Sequence, residues 1–376
     1  MSELLTYVSG YTNKEGKGIY SYTFNTETGL LSQQALACEC IAPSYFVIHQ
    51  QSEQLFTVQE TAEYQGKKGT GGIAAYRRRS QDNNDNTLER INSQPSGGED
   101  PCYLYVHGHH CLVANYSGGT VKSFPISKEG LLDSSNVDGG QQQQLLRYQQ
   151  DHGIQPSFGN PSRQEACHAH SIDIDPFEYK HALVMDLGAD LALLHRYDHG
   201  KLDLLSCAHH YQFPKGTGPR HLVFSPIMRH FIYVLGELSN QIFMLEFNTN
   251  GENCQLNLVQ QINALPDGVQ QKEGWLGAEI RITPNGKFLY ATVRGHDSIS
   301  VFYIDERTGK LKFVDNQSTR GEHPRYFIID PNGNYLLVAN QFSNNIVTFK
   351  IDQDTGKLSH VQTIEHPEPT CIQFWQ

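Results

Sequence analysis

Histidine, glutamate and arginine stand in this chain at points where a structural repeat would carry small or apolar residues. His170, Arg220, His221, Glu237, Glu279, Arg294 and Arg325 lie far apart in sequence, yet each opens one apolar segment or closes the next. Carboxylate and imidazole groups can move a proton near neutral pH, and guanidinium groups can hold an anion. Together they suit an anionic substrate whose reaction needs proton transfer. For any single arginine a surface salt bridge is the plainer reading, because such pairs are common and weak. Their recurrence at equivalent positions favours a site.

Those positions come from a degenerate repeat. From Gly277 the chain reads G-A-E-I-R-I-T-P-N-G-K-F-L-Y-A-T-V, then S-I-S-V-F-Y-I-D, then R-T-G-K-L-K-F-V; from Pro324 it reads P-R-Y-F-I-I-D-P-N-G-N-Y-L-L-V-A-N, then N-I-V-T-F-K-I-D, then D-T-G-K-L. Earlier copies start at Pro219, near His168, at Pro101 and at Pro43, a period of roughly 45 to 68 residues that suits propeller blades. Each copy holds four short strands, with Pro-Asn-Gly as the hairpin signal between the first two. The first strand begins and the second ends at the same face of such a sheet. Aligned first-strand residues are Ser44, Cys102, His170, Arg220, Ala278, Arg325 and Thr370, followed by Tyr45, Tyr103, Ser171, His221, Glu279, Tyr326 and Cys371. Second strands end at Tyr11, Glu60, Tyr116, Leu187, Glu237, Arg294 and Gln341.

The ends of the chain set the count. Residues 4–32 supply second, third and fourth strands without a first, and P-T-C-I-Q-F-W from Pro369 is a first strand with nothing after it. The expected fold is all-β: a seven-bladed β-propeller of four-stranded antiparallel blades, one domain over 1–376, closed by the C-terminal strand joining the N-terminal blade. Residues 80–100 read as a solvated polar loop. Gln141–Gln144 with 147–165 read as a long connection able to fold over one face.

Composition narrows the partners. With 40 acidic against 29 basic residues and a net charge of −11, nucleic acid and an anionic membrane are disfavoured. No basic, apolar leader opens the chain, and no run nears the roughly 18 apolar residues of a membrane span, so a cytoplasmic protein is expected. The eight cysteines have no zinc-type pairing and read as free thiols. Cys167 beside His168 reads as a buried thiol ahead of a nucleophile. His168 and His170, two apart on a strand and so facing the same way, and the group His107, His109 and His110 lack further ligands at a convincing spacing. No metal is expected, and oligomeric state is not legible.

Several phrases in order along the chain resemble one family: T-Y-V-S-G-Y-T, A-N-Y-S-G-G-T-V at 114–121, R-Q-E-A-C-H-A-H-S at 163–171, G-P-R-H-L at 218–222, and P-R-Y-F with L-V-A-N-Q near the end. They resemble the seven-bladed propeller lactonases, which include propeller-type 6-phosphogluconolactonases and the carboxy-cis,cis-muconate cyclases. The resemblance implies a cofactor-free enzyme hydrolysing a small anionic sugar lactone with activated water, within carbohydrate metabolism and the pentose phosphate pathway. It implies a catalytic set of His170, Arg220, Glu237 and Arg294. His168, His221, Glu279, Arg325, Tyr116 and Glu60 are the expected substrate-binding residues. Gly236 and Val293 stand where the family often has asparagine before Glu237 and Arg294, as Gln59 does before Glu60, and Cys167 replaces a usual proline. A muconate cycloisomerase on the same rim and a non-catalytic binding scaffold are the alternatives. A metal-dependent gluconolactonase of another propeller family lacks its metal carboxylates in this sequence.

Overall fold

A computed structural model describes residues 2–79, 85–132, 144–198, 201–250 and 253–376. These form seven four-stranded antiparallel sheets and a two-stranded hairpin, Glu63–Tyr64 with Lys67–Lys68. In chain order, blade 1 has Glu3–Gly10, Gly18–Asn25 and Leu31–Glu39, and blade 2 has Phe46–His49, Gln54–Gln59, Gly72–Arg78 and Leu88–Pro95. Blade 3 has Pro101–His107, His110–Asn115, Thr120–Pro125 and Gln144–Arg147, and blade 4 has Ala169–Ile174, His181–Asp186, Leu191–Asp198 and Lys201–Gln212. Blade 5 has Pro219–Phe224, Phe231–Gly236, Gln241–Asn250 and Asn253–Asn263, and blade 6 has Leu276–Ile282, Phe288–Arg294, Ser298–Ile304 and Leu311–Ser318. Blade 7 has Pro324–Ile329, Tyr335–Asn340, Asn345–Ile351 and Leu358–Glu365, and the last strand, Pro369–Trp375, completes blade 1 by pairing with Glu3–Gly10. The packing divides into two compact units: Met1–Gly16, Tyr20–Ala35 and Pro219–Gln376, and Lys17–Ile19 with Leu36–Gly218.

Blade 6 shows why its second strand reads as one continuous apolar run. All of Phe288–Arg294 is buried. Successive side chains alternate in direction: Leu289, Ala291 and Val293 pack with Tyr233, Leu235 and Met244 of blade 5, while Phe288 and Tyr290 pack with Phe327, Leu336 and Val338 of blade 7. The Thr-Gly turns are tied in as well. Tyr233 donates to the Gly309 carbonyl at 2.6 Å, Tyr290 to Gly356 at 2.7 Å and Tyr335 to Glu27 at 2.6 Å, so each turn is latched by a second-strand tyrosine of the blade before it. Gly309 and Gly356 have φ of +70° and +72°, and a Cβ there would strike the rings of Phe231 and Phe288.

Two expectations about insertions are corrected. Within 80–100, residues Leu88–Pro95 are the fourth strand of blade 2 and not loop, while 80–84 lie outside the described residues. Gln144–Arg147 is likewise the fourth strand of blade 3, so the long connection begins only after it; 141–143 lie outside the described residues. These are outer strands with one partner each, and their polar character reflects that solvent-side position.

The register carries a device that the sequence did not disclose. One step inside the first strand, the ladder to the second strand shifts in six blades, leaving an extra residue: Cys102, His170, Arg220, the pair Ala278–Glu279, Arg325 and Thr370. A bulge re-aims the side chain it carries. The bulged residues include, in every blade but the second, the first-strand position that the repeat aligns.

Blade 1 also holds a buried histidine with a stability consequence. His366 is 1% exposed; its Nδ1 accepts the Tyr22 hydroxyl at 2.7 Å and its ring meets Tyr20 edge-on. Burial lowers its pKa to about 3. An unfolded histidine titrates near 6.5, so the unfolded state binds the extra proton between these values, and stability falls as pH drops below about 6.5. Between pH 7 and 5 the wild type should lose about 2 kcal/mol more than His366→Gln, at roughly 1.4 kcal/mol per pH unit. Urea midpoints at the two pH values check this, and parallel losses in the two proteins would refute it.

Candidate functional site

In the unit of blades 5–7, the bulge at Arg220 and the end of the adjoining strand at Glu237 meet directly. Arg220 Nε donates to Glu237 Oε2 at 3.0 Å, and Arg294 Nη2 lies 2.8 Å from the same oxygen. All three side chains are buried, between 1% and 5% exposed. Arg294 also donates to the Gly277 carbonyl at 3.0 Å, and Arg220 Nη1 to the Ala278 carbonyl at 2.5 Å, so both guanidinium groups are fixed by backbone as well as by the carboxylate. Two guanidinium cations against one carboxylate leave the cluster one positive charge in excess, which favours an anionic ligand. Gly236 stands directly before Glu237 and contributes only backbone: its carbonyl accepts the Asn240 N–H.

A second layer positions Arg220. The His221 ring lies against Arg220 Nη1 at 3.1–3.2 Å, and its Nδ1 is 3.2 Å from Glu279 Oε2. Burial first, then the neighbouring Arg220, pushes the His221 pKa well below its ordinary value; burial raises that of Glu279. A neutral His221 has one ring donor and one acceptor: Nδ1–H serves Glu279 and Nε2 accepts from Arg220. Arg281 follows, with Nε 3.6 Å from Glu279 Oε1 and Nη2 donating to the Tyr326 hydroxyl at 2.6 Å. Sequence reasoning missed Arg281, although it lies two residues from Glu279, the spacing that puts strand side chains on one face. Arg325, on its own bulge, lies over the Tyr11 ring at 5.3 Å.

The unit of blades 2–4 gathers His168 and His170 around Tyr116. His168 stacks on its ring at 4.4 Å and 12°, and His170 meets it edge-on at 5.5 Å and 77°. The expectation that the two imidazoles face the same way rested on a regular pleat; the bulge at His170 breaks that pleat. His168 is held by the Tyr116 carbonyl and by Glu165 Oε1, at 3.0 and 3.1 Å. Arg163, another residue sequence reasoning passed over although it opens the R-Q-E-A-C-H phrase, donates twice to the Tyr116 hydroxyl, at 3.2 and 3.0 Å. Glu60 follows the second strand of blade 2, with its N–H on the Ala42 carbonyl at 3.0 Å.

Cys167 is 3% exposed, its thiol faces the Ile154 carbonyl, and burial raises its pKa, which suits an inert thiol. The six described cysteine side chains are free; Cys207 and Cys254 lie outside the described side chains. Among the described residues no group of three His, Cys, Asp or Glu side chains is placed to hold a metal ion, and His107 instead stacks on Tyr179 at 4.1 Å. No helix among them is long and apolar enough to cross a membrane.

Four-stranded blades of this order, with ionisable groups displayed on their inner bulges, define a seven-bladed β-propeller enzyme. The family described as "Lactonase, 7-bladed beta-propeller" matches residues 5–374, and the chain belongs to it as a lactone hydrolase. It is 32% identical over 333 residues to the 6-phosphogluconolactonase of Bacillus subtilis, covering 88% of this chain and 86% of that one. Among solved structures, a putative 6-phosphogluconolactonase from Bacteroides fragilis superposes with a TM-score of 0.85 at 31% identity, covering 99% and 98% of the two chains. The periplasmic gluconolactonase of Pseudomonas aeruginosa gives 0.85 at 28% identity, covering 99% of each.

Proposed function

We propose that this chain hydrolyses 6-phosphogluconolactone or a close sugar lactone in the cytoplasm, within the pentose phosphate pathway. The observation that carries this reading is the buried Glu237 carboxylate clasped by Arg220 and Arg294. Glu237 accepts a proton from water as the water oxygen attacks the lactone carbonyl carbon. Arg220 stabilises the oxyanion that develops on the carbonyl oxygen. The ring C–O bond then breaks, and the proton held by Glu237 passes to the departing ring oxygen, giving the open hydroxy acid. Arg294 and Arg325 hold the phosphate, guanidinium being suited to bidentate contact with phosphate oxygens. His221 and Glu279 keep Arg220 in place. His170 is the other candidate base, and its ring lies against Tyr116 in the unit of blades 2–4.

Freshly prepared 6-phosphogluconolactone, unphosphorylated gluconolactone and a carboxymuconate form the deciding panel, each measured against its spontaneous rate. The phosphorylated lactone is expected to turn over fastest, and Arg325→Ala should raise its KM about tenfold, the value of one half-buried charge-assisted contact. Turnover of the carboxymuconate alone would establish the cycloisomerase instead, and turnover of none a binding scaffold.

A further inference from the structure

One residue ahead of the aligned Pro43, Pro101, Ala169, Pro219, Gly277, Pro324 and Pro369 lies another recurring position: Ala42, Asp100, His168, Gly218, Leu276, His323 and Glu368. In five blades its carbonyl accepts the N–H of the residue ending the second strand: Ala42 from Glu60, Asp100 from Tyr116, His168 from Leu187, His323 from Gln341 and Glu368 from Tyr11. The position is therefore tied by one hydrogen bond to the strand end that supplies the site, and its side chain stands beside that end. In blade 7 it is a histidine that sequence reasoning did not single out.

His323 is fixed on both sides. Its N–H donates to Asp297 Oδ1 at 2.8 Å, its carbonyl accepts from Gln341 at 3.0 Å, and its φ of +61° lies in the left-handed region. Its ring stacks on Phe342 at 3.9 Å and 22°. Burial, then the charges of Arg294, Arg325 and Arg220, lowers its pKa to about 3, which places the imidazole within the field of the guanidinium cluster and keeps it neutral. A neutral ring among cations adds no charge of its own but offers one donor and one acceptor. Phe342, with one face stacked, remains 58% exposed, a large apolar surface left open.

We propose that His323 and Phe342 form the subsite that recognises the hydroxylated ring of the substrate. The open face of Phe342, negative at its centre, receives the weakly positive C–H face of a sugar ring, and the His323 imidazole hydrogen-bonds a ring hydroxyl. The guanidinium groups take the anionic end. The subsite thus selects polyhydroxylated lactones over lactones that bear only the charge, and it rests on the lactonase reading of the Glu237 cluster.

The test compares 6-phosphogluconolactone with a phosphorylated δ-lactone lacking ring hydroxyls, on the wild type, Phe342→Ala and His323→Gly. Glycine removes the imidazole and suits the left-handed backbone, as Gly218 does at the same position of blade 5 with φ of +59°. Each variant is expected to raise KM for the hydroxylated lactone about tenfold with kcat within about threefold, one hydrogen bond or stacked face being worth roughly that factor. On the hydroxyl-free lactone His323→Gly should leave KM within about threefold, whereas Phe342→Ala raises it as well, because that ring still presents C–H bonds to the phenyl face. Equal losses on both substrates in His323→Gly would mark a structural role and overturn the subsite, as would no loss on the hydroxylated lactone in either variant. No turnover of either lactone by the wild type would instead overturn the lactonase reading, and the subsite with it.

Discussion

Replacing Glu237 with glutamine lowers kcat/KM for the phosphorylated lactone by about 10²–10⁴-fold, the usual worth of a positioned acid–base group. The substitution is chosen for its shape. Glutamine keeps an acceptor oxygen for Arg220 Nε, so the hydrogen bond at 3.0 Å can persist, whereas its amide cannot take the proton of water. Both substitutions remove the counterion of two buried guanidinium groups, but alanine removes the acceptor oxygen as well, a change costing about 3–5 kcal/mol, and would confuse lost chemistry with lost fold. Steady-state kinetics beside a urea unfolding curve separate the two. Full activity in folded Glu237→Gln would remove Glu237 from the proton-transfer step, and a matching assay of His170→Ala would then decide whether the imidazole takes it.

Deleting residues 369–376 abolishes cooperative folding of the unit containing blades 5–7. The deletion strips Glu3–Gly10 of its partner from Leu5↔Trp375 to Gly10↔Pro369. It also removes Ile372, Phe374 and Trp375, exposed by only 0%, 5% and 9%. At about 1.5–3 kcal/mol for each buried side chain, roughly 5–9 kcal/mol disappears before the backbone hydrogen bonds are counted. Domain stability is typically about 5–15 kcal/mol. A truncated chain that still unfolds in one sharp transition near the wild-type midpoint would show that the terminal pairing contributes little.

Much of this architecture is legible in the sequence because the inner strands are covered on both faces. Segments such as F-L-Y-A-T-V and Y-L-L-V-A-N are buried at every position and almost wholly apolar, and the turns between them are marked by residues with a backbone role, Gly286 and Gly333 at φ of +72° and +75°. The incomplete first blade announced its missing strand in the same way. The outer strands were harder to read. Leu88–Pro95 buries little beyond Leu88, so its polar spelling resembles a loop, and only pairing with Gly72–Arg78 makes it a strand. At the site, alignment of the repeat found Arg220, Glu237 and Arg294, which the structure brings onto one carboxylate oxygen. Arg281 and His323 escaped because one lies a step deeper along its strand and the other just ahead of it. Their importance comes from neighbours contributed by other segments, Tyr326 for the first and Phe342 with the arginines for the second.

The ladder slip near the head of six of the first strands separates two demands that a sheet usually places on the same residue. A side chain in regular register must fit the layer it faces, whereas the surplus residue is excused from that layer and can vary in size and charge. Arginine, histidine, cysteine and threonine all occupy it in this chain. A place that the proposed chemistry does not use, such as Cys102 or Thr370, can therefore change its residue type while the surrounding framework keeps its original spelling.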